Sequence, residues 1–450
     1  MELNRKRVLV IGMARSGISA AKILNQLGAY VIMNDLKEEK KLNDLINDVK
    51  PYVNEFILGN HVTNFHSIDL IVLSPGVPLD IEPIRKAKEE GVQVIGELEL
   101  AYNLLEGEFI GITGTNGKTT TTALVGEIFD NAGIHNHVVG NIGLPVISKM
   151  FESYEETYLI TEVSSFQLET VVDFKPKISA ILNITPDHLN RHKTMESYIE
   201  AKKKIFMNQK NHDYLILNYD QEITKEIGEK ALEVNVIYFS LNSVLSEGIY
   251  VKDQSIIVKD GNLELSVCNI NDILILGDHN IENALAATAI AYYSGISIEV
   301  IANTLRSFKG VEHRIEFVRN LNDVKFYNDS KGTNPEATMK AIEAMTEDTI
   351  LIAGGMDKGS NFDSLTKSFT DKVKTIVLFG ETKNLIKASA EKNAQCDILL
   401  VETLKEAIMK SLDVSKPGDS ILLSPACASW DMYESYEHRG QEFKNIVIEL

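Results

Sequence analysis

Short apolar runs, each closed by a turn of glycine, serine or threonine and then by a stretch of 3.6-residue periodicity, recur in three successive blocks. "VLVIGMARSGISAAKIL" opens the first block: Val8 to Ile11 reads as a buried strand, then comes a glycine turn, then a helix. Further strand-like runs follow at "YVIMND" and "IDLIVLSPGVP", the latter running out into Ser74, Pro75 and Gly76. Strands separated by helices give βαβ units and a parallel sheet.

In the second block, "FIGITGTNGKTTTTALVGEIF", "TYLITEVSSFQLE" and "KISAILNITPDHLNRH" each place polar residues directly after an apolar strand. Open α/β sheets collect their ligands there. Residues 236–270, with the Asp260-Gly261 turn, read as a small antiparallel insert. The helix "HNIENALAATAIAYYSG" leads to a boundary near 310, after which strands and helices alternate again down to "SILLSPACASWDMY". The expected fold is α/β in three domains: a Rossmann-like parallel sheet over 1–97, a P-loop ATPase-like, mostly parallel sheet with the antiparallel insert over 98–310, and a Rossmann-like α/β domain over 311–450. Length agrees, since 450 residues is three times a domain of ~150.

Composition removes some function classes. With 44% hydrophobic and 24% charged residues the chain reads as an ordinary globular protein. No run approaches the ~18 apolar residues of a membrane span, so the expected location is the cytoplasm. Cys268, Cys396 and Cys427 are too few and too scattered for a disulfide framework or a structural zinc site. A formal charge of -19 argues against nucleic-acid binding. Anionic substrates would need local lysines, helix N-termini or Mg2+.

"GITGTNGKTTTTA" departs from the strict G-x-x-x-x-G-K-[ST] pattern, because Ile112 stands where the first glycine belongs. Strand, Gly114, Gly117-Lys118-Thr119 and helix remain. That arrangement forms an anion nest in which Lys118 reaches the β and γ phosphates and the Thr119 hydroxyl can ligate Mg2+. Gly12 to Gly17 resembles a dinucleotide fingerprint with Asp35 placed to meet a ribose, but Ala14 occupies the middle glycine position. A structural turn, a nucleotide-diphosphate site and a dinucleotide site all remain open there. Glu162 closes a strand where a carboxylate would hold Mg2+, and His188 follows the next strand. Lys202, Lys203 and Lys204 read by default as a solvated helix face, while a lysine stripped of charge by burial becomes nucleophilic.

Taken in order, "GTNGKTTT", "EVSSFQLE", "NITPDHLNRH", "AKKKIF", "GDHNIENALAA", "EHRIE", "NDSKGTNP", "GGMDKG" and "LLSPACASWDMYESYEHRGQEF" resemble the bacterial Mur ligases, from Gly12 to about Phe443. "NDSKGTN" and "SPACASWD" resemble the members that add D-glutamate to UDP-N-acetylmuramoyl-L-alanine, in peptidoglycan synthesis and hence cell-wall growth and division. The resemblance implies an ATP-dependent amide ligase working through an acyl phosphate and a tetrahedral intermediate. Other amide ligases of the superfamily, including folylpolyglutamate synthases, and a P-loop kinase or ATPase that forms no amide are the alternatives.

Several site residues follow from the same resemblance. It implies that Thr119 and Glu162 hold a Mg2+ on the ATP phosphates, that His188 holds a second Mg2+, and that Lys202 carries a CO2-derived carbamate supporting it. Lys203 stays open as the alternative. Gly114, Thr115, Asn116, Gly117, Lys118, Thr119 and Thr120 would cradle the ATP phosphates, and Asn280, Asn283, Arg314 and Asp329 would meet the rest of the nucleotide. Arg15, Ser16, Asp35, Ser74, Gly76 and Asn141 match contacts to the UDP-sugar. Lys331, Thr333, Lys358, Ser429 and Tyr436 match the D-glutamate pocket, with Lys331 also catalytic. The implied partners are UDP-N-acetylmuramoyl-L-alanine, D-glutamate and ATP, bound by a monomer without nucleic acid or membrane.

Overall fold

The computed structural model describes every residue except Lys358. The first sheet is five parallel strands, β1 Arg7–Ile11, β2 Tyr30–Asp35, β3 Glu55–Leu58, β4 Leu70–Leu73 and β5 Gln93–Gly96, in the order β3-β2-β1-β4-β5. Val8, Leu9 and Val10 of β1 and the whole of β4 are buried, which is why these strands read as unbroken apolar runs. The order reverses between β1 and β4, so the loops that follow them open a crevice.

Nine strands make the second sheet: β6 Glu108–Thr113, β7 Asn136–Gly140, β8 Tyr158–Glu162, β9 Ile178–Ile181, β10 Tyr214–Asn218, β11 Asn235–Ser240, β12 Gly248–Lys252, β13 Ser255–Asp260 and β14 Leu263–Asn269. Their order is β14-β13-β12-β11-β10-β9-β6-β8-β7. The antiparallel part is narrower than the expected 236–270. β11 returns through the crossover helix Glu222–Lys230 and pairs parallel with β10, so only β12, β13 and β14 are antiparallel. That meander extends the edge of the sheet. Its first turn uses Asp253 and Gln254, both at positive φ (48° and 58°), where the favoured hairpin turn needs φ above zero at both central residues.

The third sheet contains β15 Glu316–Leu321, β16 Val324–Asn328, β17 Thr349–Ala353, β18 Val373–Leu378, β19 Asp397–Leu400 and β20 Ser420–Leu423, in the order β15-β16-β20-β17-β18-β19. All pairs are parallel but one. The antiparallel β15–β16 hairpin turns at Asn322 and Asp323, again at positive φ without glycine. Among the described residues no helix is long and apolar enough to cross a membrane.

The chain forms two compact units, Met1–Ile270 with Glu282–Leu305, and Asn271–Ile281 with Arg306–Leu450. The first two sheets share one unit because the helix joining them, Glu97–Leu104, is buried against both. Leu98, Leu100 and Ala101 lie in one apolar core with Val8 and Val10 of the first sheet and Phe109 of the second. Tyr102, Phe109 and Phe174 pack edge to face at 5.4 to 5.8 Å. Glu99 fixes the far side of this helix: its carboxyl accepts the backbone N–H groups of Val172 at 2.9 Å, Asp173 at 2.8 Å and Phe174 at 3.1 Å.

Removing that carboxyl leaves three backbone donors without their acceptor, each costing about 1–3 kcal/mol where it stays buried. Glu99→Ala is therefore expected to lower the stability of the first unit by about 3 kcal/mol or more, read as an earlier urea midpoint by tyrosine fluorescence. An unchanged midpoint would show that water replaces the carboxyl at no cost.

Candidate functional site

β6 ends at Thr113, and the chain turns through Gly114 and Gly117 (φ 83°) into the helix Lys118–Asn131. A Cβ on Gly117 would lie 2.2 Å from the Asn283 side chain, so glycine is required both for backbone conformation and for space. The first turn of the helix presents backbone N–H groups to an anion. The end of β9 braces the loop. Asn183 accepts from the Asn116 N–H at 2.8 Å and donates to the Asn116 carbonyl at 3.1 Å. Thr115 Oγ1 meets the Thr185 carbonyl and the Tyr198 hydroxyl, each at 3.1 Å. Lys118 Nζ lies back over the loop and donates to the Gly114 and Thr115 carbonyls at 2.8 Å, and Thr120 is buried beyond it.

Glu162 ends β8 and is buried; Thr119 Oγ1 donates to its Oε2 at 2.9 Å, and Asn141 Nδ2 donates to its Oε1 at 2.8 Å. Lys202 comes up from the helix Met195–Lys203, 1% exposed, with Nζ donating to the Gly114 carbonyl at 2.8 Å and lying 4.7 Å from the Tyr198 ring centroid. Burial, and then the nearby Lys118 charge, hold the Lys202 pKa well below the usual lysine range. Lys203 points elsewhere and pairs with Glu200 at 2.7 Å on the surface. The two lysines that sequence left open thus occupy opposite environments. His188 begins the helix Leu189–His192 in a left-handed conformation (φ 52°), half exposed, with its ring 4.8 Å from Phe166 and its N–H on Asp187 at 2.8 Å. No hydrogen bond joins it to Glu162 or Lys202 among the described contacts.

In the first sheet, Ser74 Oγ donates to the Gly12 carbonyl at 3.0 Å, linking the loops after β1 and β4. A Cβ on Gly17 would fall 2.0 Å from the Gly12 carbonyl oxygen, so glycine lets the helix Arg15–Gln26 close on its own turn. Asp35 Oδ2 accepts the Met13 N–H at 2.9 Å. Arg15 and Gly76 are exposed and Ser16 is half buried.

The second unit gathers a separate group. Asp329 follows β16 and is buried; Ser424 Oγ donates to it at 2.6 Å, and burial pushes its pKa up to about 7 against the opposing influence of Ser424 and Arg314. Lys331 Nζ stands 5.9 Å from the Tyr436 ring centroid, and Thr333 is half buried beside it with its N–H on the Lys331 carbonyl at 2.8 Å. Tyr436 also packs edge-on against His313 at 6.3 Å. Ser429 is buried and its carbonyl accepts the Tyr433 N–H at 2.8 Å, while Asn280 donates to the Leu276 carbonyl at 2.7 Å. Lys358 lies outside the described residues.

Several participants escaped the sequence reading. Asn183 stands two residues after the end of β9, a ligand-bearing position, and Tyr198 is four residues before Lys202 on the same helix face. Both signals were available. Arg439 gave none: it is fully buried, donating to the Ser330 carbonyl at 2.8 Å and the Cys427 carbonyl at 3.2 Å, and so ties "NDSKGTN" to "SPACAS".

Comparison with known proteins agrees with this geometry. Residues 6–96 match the MurD-like N-terminal domain of Mur ligases, 112–291 the Mur ligase middle domain, and 313–427 the glutamate ligase domain of Mur ligases. The chain is 52% identical to the UDP-N-acetylmuramoylalanine–D-glutamate ligase of Clostridioides difficile (strain 630), covering 100% of both chains. It is 51% identical to the protein of the same name from Thermoanaerobacter sp. (strain X514), again over 100% of both. Among solved structures, UDP-N-acetylmuramate-alanine ligase MurC of Thermotoga maritima shares the fold at a TM-score of 0.59 and 20% identity, with 98% of this chain and 99% of that one covered. The MurF ligase of Thermotoga maritima, solved with ADP, does so at 0.59 and 16%, with 99% of each covered. Matched by a Mur ligase description in each of three regions, and half identical along its whole length to two such ligases, the chain belongs to the Mur ligase family.

Proposed function

We infer that the chain is an ATP-dependent ligase that adds D-glutamate to UDP-N-acetylmuramoyl-L-alanine in peptidoglycan synthesis. The observation that carries this is the 52% identity, over both full lengths, to a ligase named for that reaction. In this reading residues 1–97, 98–310 and 311–450 serve the UDP-linked substrate, ATP and D-glutamate in turn. The reading takes the chain as a monomer in the cytoplasm, where ATP and the UDP-linked substrate are solutes.

The substrate's alanyl carboxylate attacks the γ phosphorus of ATP, the bond to the β–γ bridging oxygen breaks, and ADP leaves. The amine of D-glutamate then attacks the acyl phosphate carbonyl, giving a tetrahedral intermediate. This collapses with loss of inorganic phosphate, and the amine's proton goes to a base. Phosphoryl transfer of this kind asks mainly for positioning and charge neutralisation. Lys118, freed from the Gly114 and Thr115 carbonyls it now touches, supplies positive charge to the phosphates. Arg15, Ser16, Asp35, Ser74, Gly76 and Asn141 would hold the UDP-sugar, and Lys331, Thr333, Lys358, Ser429 and Tyr436 the amino acid, with Asn280, Asn283, Arg314 and Asp329 around the nucleoside.

Thr119 Oγ1 and a Glu162 oxygen stand 2.9 Å apart at the mouth of the anion nest, an oxygen pair that suits Mg2+. Bound there and at a second place held by His188 and the Lys202 carbamate, Mg2+ would neutralise charge on the transferring phosphoryl group. Burial and the Lys118 charge shift the Lys202 amine towards its neutral form, the nucleophilic form that captures CO2. Protons compete for the same lone pair, so the carbamate is lost as pH falls.

Incubation with ATP, Mg2+, UDP-N-acetylmuramoyl-L-alanine and each enantiomer of glutamate should yield product, by mass, with the D form alone; oxygen-18 placed in the alanyl carboxylate should emerge in inorganic phosphate. Product without label in phosphate would rule out the acyl phosphate. Lys118→Ala should lower kcat by about 10³-fold, roughly 4 kcal/mol of barrier. Lys202→Ala is expected to cost about 10²-fold or more while Lys203→Ala stays near wild type, and wild-type activity should fall when bicarbonate is stripped and the pH lowered. Equal losses at 202 and 203 would exclude the assignment.

A further inference from the structure

His192 has no part in the chemistry above, yet it ends the helix Leu189–His192 as a buried side chain with both nitrogens engaged. Nε2 lies 2.9 Å from Ser165 Oγ, and Nδ1 faces Glu169 Oε1 at 3.5 Å. Glu169 is in turn held by Arg191 Nη2 at 2.6 Å. The Ser165 bond and the neighbouring Glu169 carboxylate restrain the rotation of the imidazole. The order serine, histidine, glutamate has the donor sequence of a nucleophilic triad, but Ser165 is only 2% exposed, closed to a substrate. Its buried ring, with Nε2 on Ser165, is also set apart from the half-exposed His188 four residues earlier.

What the fixed ring does is hold two others. It stacks on Phe166 at 5.5 Å with planes 24° apart, and it meets Tyr198 at 5.2 Å. Phe166 then stands 4.8 Å from the half-exposed His188 ring, and the Tyr198 ring lies 4.7 Å from Lys202 Nζ. The Tyr198 hydroxyl also meets Thr115 of the anion nest at 3.1 Å. One imidazole therefore stands behind both groups assigned to the second cation. His188 has little else to fix it: its side chain is 49% exposed and its nearest charged partner is Asp187.

We propose that His192 is a positioning residue, setting through Phe166 and Tyr198 the mutual placement of the His188 imidazole and the Lys202 amine. The inference rests on the reading that those two groups share a cation. Groups behind ligands usually matter through the orientation they impose, and their loss weakens metal affinity more than it weakens the fold.

Two measurements without turnover test it. Free Mn2+ followed by electron paramagnetic resonance, with the imido analogue of ATP present, reads cation binding. Carbon-13 resonance after labelled bicarbonate reads the carbamate on Lys202. His192→Ala is expected to weaken the weaker of two Mn2+ sites by about 10–100-fold and to reduce the carbamate signal, with the tighter site moved by no more than about threefold. His192→Phe, which restores a ring without the nitrogen contacts that orient it, should recover only part of both losses. Should the alanine variant fail to fold, Phe166→Leu removes the arm that reaches His188 and is expected to weaken the weaker Mn2+ site in the same way, whereas the Tyr198 arm to Lys202 remains. Wild-type Mn2+ affinity and labelling in His192→Ala would overturn the proposal. So would a His192→Ala variant whose tighter Mn2+ site weakens as much as the weaker one, since the loss would then be general rather than relayed through Phe166 and Tyr198. A wild-type chain that binds a single Mn2+ and takes up no label sinks the two-cation reading and this inference with it, a result unlike either of the others.

Discussion

Two lysine amines meet on one carbonyl oxygen. Lys118 and Lys202 both donate to Gly114 at 2.8 Å, one from the helix that starts at the anion nest and the other from a helix about 80 residues later. Two ammonium ions sharing one acceptor repel, and the repulsion is relieved when one loses its proton. Lys118 is only half buried and keeps access to water, whereas Lys202 is sealed in, so burial and the Lys118 charge both weigh against the charged form of Lys202. In the proposed mechanism the neutral amine then becomes a carbamate, turning a site that repels Lys118 into one that attracts it and a cation.

That encounter depends on sheet topology. In the order β9-β6-β8 the strand carrying the nest is flanked by the two strands that supply its chemistry, although β9 lies some 65 residues downstream of β6. Parallel pairing brings all three carboxyl ends to one edge. Glu162 thereby reaches Thr119, and Asn183 reaches Asn116. The Glu97–Leu104 helix adds the second constraint, because it places the first sheet in the same unit as the nest. Asn141, assigned to the UDP-sugar, bonds to the same Glu162 carboxyl that meets Thr119, so the proposed substrate and nucleotide contacts share one side chain.

What could be read along the chain was whatever is encoded locally. The nest, the three α/β blocks and the loop ligands are visible because glycines and strand ends mark them. The Asp253-Gln254 and Asn322-Asp323 turns were not, since without glycine their left-handed backbone is marked only by Asp and Asn, residues common in any loop. β15 also went unread: it is an edge strand only partly buried, with Phe317 52% exposed, so no apolar run announces it. The choice between Lys202 and Lys203 shows the limit most plainly. Successive helical residues point about 100° apart, so one faces the core and its neighbour faces water, and only packing decides which.

Arg439 is the informative contrast to Lys202. Both are basic side chains buried to within 1% exposure, and among the described contacts neither has a carboxylate in hydrogen-bonding contact. Burial lowers the Arg439 pKa only to about 10, so the guanidinium stays charged at neutral pH and must be solvated by the protein. The carbonyls of Ser330, Cys427 and Ala428 and the Ser330 hydroxyl do this, and in doing so they fix the loops that carry Lys331 and Ser429. Lys202 has one carbonyl and a distant threonine hydroxyl, too few acceptors to hold an ammonium ion away from water. The Arg439 guanidinium here serves architecture, whereas an amine as short of acceptors as Lys202 is pushed towards the form with a lone pair. The difference in acceptor count separates the cation that shapes a site from the one that can react in it.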